Sequence, residues 1–117
     1  MDHYRIQRDI QSGKAAPVYV LMGDEPFFVD QITDYVEEHA LSEADKAFNQ
    51  TIVYGRDVSM DQVLSIAKGF PMSGDRQVVI VKEAQDLKEW KKGDSLAGFE
   101  HYMTQPQPAT LLIFAFK

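Results

Sequence analysis

Two stretches of the sequence stand where a nucleotide-binding α/β domain would hold a phosphate group or a metal ion. The first is an apolar run that ends in Gly23, Asp24, Glu25 and Pro26. A nucleotide-binding loop at this point would need further glycines and a lysine, because converging backbone amides and one cation hold the phosphates. This loop has one glycine and two carboxylates. We interpret Asp24 as the N-cap of a helix that has Pro26 in its first turn.

The second stretch is the apolar run that ends in Lys82. An ATPase would carry a carboxylate near this point to hold Mg²⁺. A phosphoacceptor receiver domain would carry its acceptor aspartate there. A lysine opposes magnesium binding and supplies no carboxylate, so both readings are disfavoured. The sequence therefore predicts a degenerate nucleotide site at Gly23, Asp24, Glu25 and Lys82, with no cofactor.

The remaining candidates for chemistry are few. The sequence has no cysteine, and His3, His39 and His101 have no histidine partner three or four residues away, so we predict no metal site. Trp90, in the basic stretch KEWKK, could stack on a nucleic-acid base, although the pattern favours an exposed amphipathic turn. We find no catalytic constellation and predict no intrinsic catalysis.

Four apolar runs predict the strands that would position these residues. They are PVYVLM, FNQTIVYG, RQVVIV and PATLLIFAF. The first run is unbroken and rich in β-branched and aromatic residues, which is typical of a strand buried on both faces. Apolar residues three or four positions apart predict helices around Ile6 and Ile10, from Pro26 to Val36, after Ser59, and more loosely from Leu87 to Met103.

The helix after Ser59 has the clearest signals. Ser59 and Gln62 form a capping box, and Val63, Ile66 and Phe70 share one helix face, so we expect Phe70 to lie in the core. Strands that alternate with helices at intervals of about thirty residues imply right-handed crossovers. The predicted fold class is α/β, with a mainly parallel sheet flanked by helices.

Composition sets broad limits on function. The chain has 117 residues and a formal net charge of −6. One domain is expected at this length, and the negative charge predicts weak intrinsic affinity for DNA. The charged first residues do not form a signal peptide, and no stretch is long enough to span a membrane. We therefore expect a cytoplasmic protein with no membrane partner.

The loop GFPMSGDR, residues 69–76, has apolar residues where loops are normally polar. Met72 lies outside the pattern of the preceding helix, and local reasoning leaves core packing and partner contact equally open. The last apolar run stops at Lys117, immediately after LLIFAF. We expect from this that the chain is a fragment and that the helices covering this run lie beyond Lys117.

Three stretches together resemble the amino-terminal domain of the delta subunit family of bacterial DNA polymerase III. They are YVLMGDEPFF, YGRDVSMDQVL and GDRQVVIVKEA, and the likeness continues in order from Pro17 onward. The resemblance implies that residues 1–117 form a domain similar to AAA+ (P-loop) ATPases but without a working nucleotide site. It also implies a non-catalytic clamp-loader subunit of the polymerase III holoenzyme, which binds the sliding clamp and helps to open it for loading onto primed DNA.

Partners and site residues follow from the same resemblance. The clamp, or beta subunit, would contact Phe70, Pro71, Met72 and Ser73. The gamma or tau and delta prime subunits would bind regions beyond this fragment, which would lack the lid and collar domains, and DNA would be met only in the assembled complex. Many relatives carry leucine and phenylalanine at the positions of Met72 and Ser73. Methionine can fill a leucine pocket but serine cannot replace phenylalanine, so either the clamp pocket differs or Phe70 supplies the ring.

Two alternative functions remain open. The domain could be an unorthodox NTPase, which saturable binding of ATP and magnesium would reveal. It could also be an assembly scaffold without clamp contact, which a pull-down with the clamp would reveal.

Overall fold

The computed structural model describes residues 3–22, 26–71, 76–91 and 96–117. Four parallel strands form one sheet in the described part of the chain, in the order β1-β4-β3-β2. The strands are β1 Val18–Leu21, β2 Gln50–Tyr54, β3 Gln77–Lys82 and β4 Thr110–Ala115. The helices are α1 His3–Gln11, α2 Pro26–His39, α3 Glu43–Asn49, α4 Met60–Lys68, α5 Lys88–Lys91 and α6 Ala97–Thr104. The predicted α/β class with a parallel sheet is confirmed.

The strand register sets the two ends of the sheet. Gln77 pairs with Thr110 at the start of β3 and β4, and Lys82 pairs with Ala115 at their end. Because every strand runs in the same direction, the segments that enter the strands gather at one end and the segments that leave them gather at the other. We call these the amino end and the carboxyl end of the sheet.

Each face of the sheet has its own core. Helices α1 and α2 cover one face, where the buried residues include Ile6, Ile10, Val29, Ile32, Val36, Val78, Ile80 and Ile113. Helices α4 and α6 cover the other face, where they include Val63, Leu64, Ala67, Tyr102, Val79, Val81, Leu112 and Phe114. Strands β3 and β4 are therefore buried on both faces, as their continuous apolar runs indicate.

Two expectations about the strands are wrong. β1 is an edge strand in which Val20 is 39% exposed, so it is not buried on both faces. β4 is central, and the described helices already cover it on both sides, so its covering helices do not lie beyond Lys117. Both apolar runs have the same local pattern, and the order of pairing decides which one is enclosed.

The structure also corrects the reading of three local segments. Residues before β2 form the short helix α3, capped by the Ser42 side chain, which accepts a hydrogen bond from the Asp45 amide. The loosely helical stretch from Leu87 to Met103 contains two helices, α5 and α6. Trp90 does not lie on an exposed turn. It is half-buried, and its ring contacts Phe99, Phe114 and Phe116.

Within the described residues, no helix is long and apolar enough to cross a membrane.

Candidate functional site

The carboxyl end of the sheet is where an α/β protein usually binds its ligand. The register places Tyr54, Lys82 and Ala115 side by side at this end. The Lys82 ammonium nitrogen lies 2.6 Å from a carboxylate oxygen of Glu37, which is a residue of α2. The hydrogen bond to Glu37 raises the pKa of Lys82 above its ordinary value, against the opposing effect of burial. The cation predicted at the end of β3 is therefore already paired inside the protein.

A cavity of about 170 Å³ lies between α2 and this end of the sheet. Its polar lining includes Asp30, Asp34, Lys82 and Glu83. The lining carboxylates repel a phosphate chain, and the one lysine among them is held by Glu37. Among the described residues, no group of three or more histidine, cysteine, aspartate or glutamate side chains could hold a metal ion. Gly23, Asp24 and Glu25 lie outside the described residues, so their part of the degenerate site stays a prediction.

The backbone itself closes part of the carboxyl end. Gly55 follows β2, and a side-chain carbon there would lie only 2.4 Å from the Glu83 carbonyl oxygen and 3.0 Å from the Leu87 nitrogen. Glu83 follows β3 with a left-handed backbone, φ 51°. The backbone segment that follows β2 therefore packs directly against the one that follows β3, and only glycine fits at position 55.

The amino end carries the loop that the sequence singles out. Helix α4 begins with the predicted capping box, in which the Ser59 hydroxyl accepts from the Gln62 amide and the Gln62 side chain accepts from the Ser59 amide. The helix ends at Lys68, and Gly69 continues in an extended conformation while its amide donates to the Ile66 carbonyl. The predicted start of the helix is confirmed, but the helix ends before Phe70.

Phe70 is not a core residue, which contradicts the expectation from the helix pattern. Its side chain is 80% exposed, the largest exposure of any large hydrophobic residue that the structure describes. The extended backbone at Gly69 stops the helical rotation that would have carried Phe70 onto the face of Val63 and Ile66. Pro71 follows and is half-buried. Met72 and Ser73 lie outside the described residues.

Gln77, the first residue of β3, fixes the end of α4. Its side-chain amide nitrogen lies 3.0 Å from the Ile66 carbonyl oxygen, 2.8 Å from that of Gly69 and 2.8 Å from the Thr110 hydroxyl. The buried Thr110 hydroxyl in turn donates to the Ala67 carbonyl over 2.8 Å. The Thr110 hydroxyl thus supplies a donor to a carbonyl of the last turn of α4, and the Ile66 carbonyl, which accepts from the Gly69 amide, accepts from Gln77 as well. We call this arrangement the Gln77 latch.

The latch ties together three elements beside the exposed ring. It joins the last turn of α4 to the first residues of β3 and β4. The Gly69 carbonyl accepts a hydrogen bond from the Gln77 side chain, so the two ends of the loop between α4 and β3 lie close together. Phe70 is at one end of this loop and Arg76 is at the other. Sequence reasoning missed Gln77 and Arg76, although a glutamine entering a buried strand is a polar residue in need of a partner.

The structure separates the predicted site residues into two places. Lys82 lies at the carboxyl end of the sheet, whereas Phe70 and Pro71 lie at the amino end. The first place has the position of a ligand site but an internally neutralised cation. The second has no catalytic groups among its described residues, and it offers an exposed aromatic ring on a fixed support. Its geometry suits binding to a partner.

Comparison with known proteins gives consistent matches. The sequence model for the family described as DNA polymerase III, delta subunit, matches residues 19–117. The curated protein DNA polymerase III subunit delta of Bacillus subtilis (strain 168) is 25% identical over 114 residues, which are 94% of this chain and 33% of that protein. A solved structure described as the Bacillus subtilis DNA clamp loader delta protein matches with a TM-score of 0.80 and 25% identity, over 97% of this chain and 34% of that one. The chain thus spans about a third of the length of these relatives.

Proposed function

The chain belongs to the DNA polymerase III delta subunit family, and from this premise we propose that its amino end binds the sliding clamp. The clamp would be bound better in its open form than in its closed form, so that binding shifts the ring toward opening during clamp loading. A binding protein can shift such an equilibrium only by its difference in affinity for the two states. No catalytic step in this chain is needed.

The observation that carries the proposal is the exposed Phe70 ring on its fixed support. An aromatic side chain that is 80% exposed gains free energy when a partner covers it. The Gln77 latch holds the end of α4 in place, which lowers the ordering cost of binding. The name of the structural relative, a clamp loader delta protein, supports a clamp as the partner.

Phe70, Pro71, Met72 and Ser73 remain the proposed contact residues. Phe70 is the candidate anchor that the structure describes, and its exposure suits an anchoring ring. A well-buried aromatic anchor contributes about 2 kcal/mol or more on truncation to alanine. Phe70→Ala should therefore weaken clamp binding roughly 30-fold, since about 1.4 kcal/mol corresponds to tenfold in affinity.

The test is surface plasmon resonance of the full-length protein against the sliding clamp of the same organism, with Phe70→Ala and Met72→Ala measured separately. Phe48→Ala is the matched control, because Phe48 is also a largely exposed phenylalanine, at 64%, but lies in α3. Phe48→Ala should bind like the parent protein. If the parent protein itself does not bind the clamp, the assembly-scaffold function replaces this proposal.

We further propose that residues 1–117 are the amino-terminal domain of a longer subunit. The relatives are about three times as long, and β1 has an uncovered face at Val20, with the exposed Met22 beyond it. The crossovers from β2 to β3 and from β3 to β4 both step toward β1 on the face of α4 and α6. A further right-handed crossover in that direction would place a helix over Val20 and a strand beside β1.

A further inference from the structure

Arg76 enters β3 from the loop that carries the proposed clamp contact, and it lines a cavity of about 280 Å³. The other walls come mainly from small residues and prolines, including Ala15, Ala16, Pro17, Pro106 and Pro108. The Tyr19 hydroxyl accepts a hydrogen bond from the Ala16 amide at 3.0 Å, which holds one wall in place. Arg76 therefore lines a recess whose other walls are mainly short or rigid side chains.

This guanidinium is half-buried without an anionic partner among the described residues. None of the ion pairs between described residues includes Arg76. Burial lowers the pKa of Arg76 below its ordinary value, with the Tyr19 hydroxyl group opposing the effect. A partly desolvated charge without a counter-ion is unfavourable, so an anion that arrived from outside would be stabilising.

Two more cations lie close to Arg76 and Phe70 along the chain. Lys14 immediately precedes Ala15 and Ala16 of the recess, and Lys68 ends α4 two residues before Phe70. Both lysines are exposed, in a chain whose net charge is −6.

We infer that Arg76 is the charged part of the clamp-binding surface, where it pairs with a carboxylate side chain of the sliding clamp while Phe70 fills an apolar pocket beside it. This inference rests on the proposed function and adds the chemistry of the partner's surface. A planar guanidinium suits a carboxylate because two parallel hydrogen bonds can form. A DNA backbone fits less well, because three cations in a chain of net charge −6 neutralise few phosphates.

The experiment measures binding of the full-length protein to the purified sliding clamp at several salt concentrations. Arg76→Gln should weaken binding about tenfold at low salt and flatten its salt dependence, because the lost contact is ionic. Arg76→Lys should recover part of the affinity, since it keeps the charge but not the planar fork. Arg56→Gln is the matched control, because Arg56 is exposed and lies over the Tyr54 ring at the carboxyl end. The control should match the parent protein in affinity and in salt dependence.

The possible results separate this inference from the proposed function. If the parent protein does not bind the clamp, the proposed function itself fails. If the parent binds and Arg76→Gln binds equally well with the same salt dependence, only the inference is overturned. A lower unfolding midpoint in Arg76→Gln would assign Arg76 a structural role and also overturn it. Binding of a 20-base-pair DNA duplex that is lost in Arg76→Gln, with clamp binding intact, would identify a nucleic-acid surface instead.

Discussion

Replacing Gln77 by leucine tests whether the latch positions Phe70 for the proposed clamp contact. The substitution keeps the size of the side chain but removes the amide that bonds to the α4 carbonyls and to Thr110. One side-chain amide nitrogen has two hydrogens, and each hydrogen bond contributes about 1 kcal/mol. We therefore expect the free energy of unfolding to fall by about 2 kcal/mol. For a domain of this size that corresponds to a midpoint lower by about 8 °C.

The affinity for the clamp should fall as well, because the latch holds Phe70 in position in addition to stabilising the fold. Without the latch the last turn of α4 frays, and Phe70 is presented correctly in only a fraction of the molecules. The apparent affinity falls by that same fraction. If the competent population drops to about a tenth, binding weakens about tenfold. Surface plasmon resonance and thermal unfolding of the same preparations give both numbers.

Gln50→Leu provides the matched control. Gln50 is the first residue of β2, as Gln77 is of β3, and its side-chain amide donates to the Glu37 carbonyl at 3.2 Å. Its loss should lower stability by about 1 kcal/mol and leave clamp binding unchanged. If Gln77→Leu loses stability but keeps the clamp affinity of Gln50→Leu, the latch does not position Phe70. If Gln77→Leu is as stable as the parent protein, the hydrogen bonds do not secure the helix end.

Three further outcomes are expected. Lys82→Met should lower stability by about 1 kcal/mol at neutral pH. The pKa of Lys82 is raised in the folded state, so the ion pair stabilises the protein fully below the ordinary lysine value of 10.5 and is lost as pH rises through the higher folded value. The difference in free energy of unfolding between parent and variant, measured in urea, should therefore shrink above about pH 10.5. A difference that stays constant there would contradict this assignment. Millimolar Mg-ATP should leave the unfolding midpoint unchanged, since a ligand that binds only the folded state raises it, and a dose-dependent rise would favour the NTPase alternative. In the full-length protein, hydrogen exchange at the amides of β1 should be slower than in residues 1–117, and equal rates would count against a covering segment over Val20.

The elements that could be predicted from the sequence are those whose signals are local. The capping box at Ser59 and Gln62 lies within four residues, and the structure contains both of its hydrogen bonds. The runs that became β3 and β4 are apolar throughout because both of their faces are buried. In each case the information needed was contained in one short segment.

The errors concern properties that depend on neighbours or on one backbone angle. β1 and β4 read alike, and only the pairing order makes one an edge and the other a centre. Phe70 continues an apolar spacing, but the extended Gly69 ends the helix and turns the ring outward. The partners of Gln77 and Lys82 could not be predicted, because Thr110 and Glu37 are brought to them only by the folded sheet and helix α2.

The two ends of the sheet differ in what they can bind, and the difference follows from the same parallel topology. At the carboxyl end, Lys82 is neutralised by Glu37, and carboxylates line the cavity where an anionic ligand would lie. At the amino end, the described residues supply an exposed ring at Phe70 and a half-buried cation at Arg76 that forms no ion pair with any of them. The Gln77 latch connects this surface to β3 and β4, so the loop is mounted on the most buried part of the protein. A surface held in that way loses little freedom on binding, which favours the proposed role of this end as a partner contact.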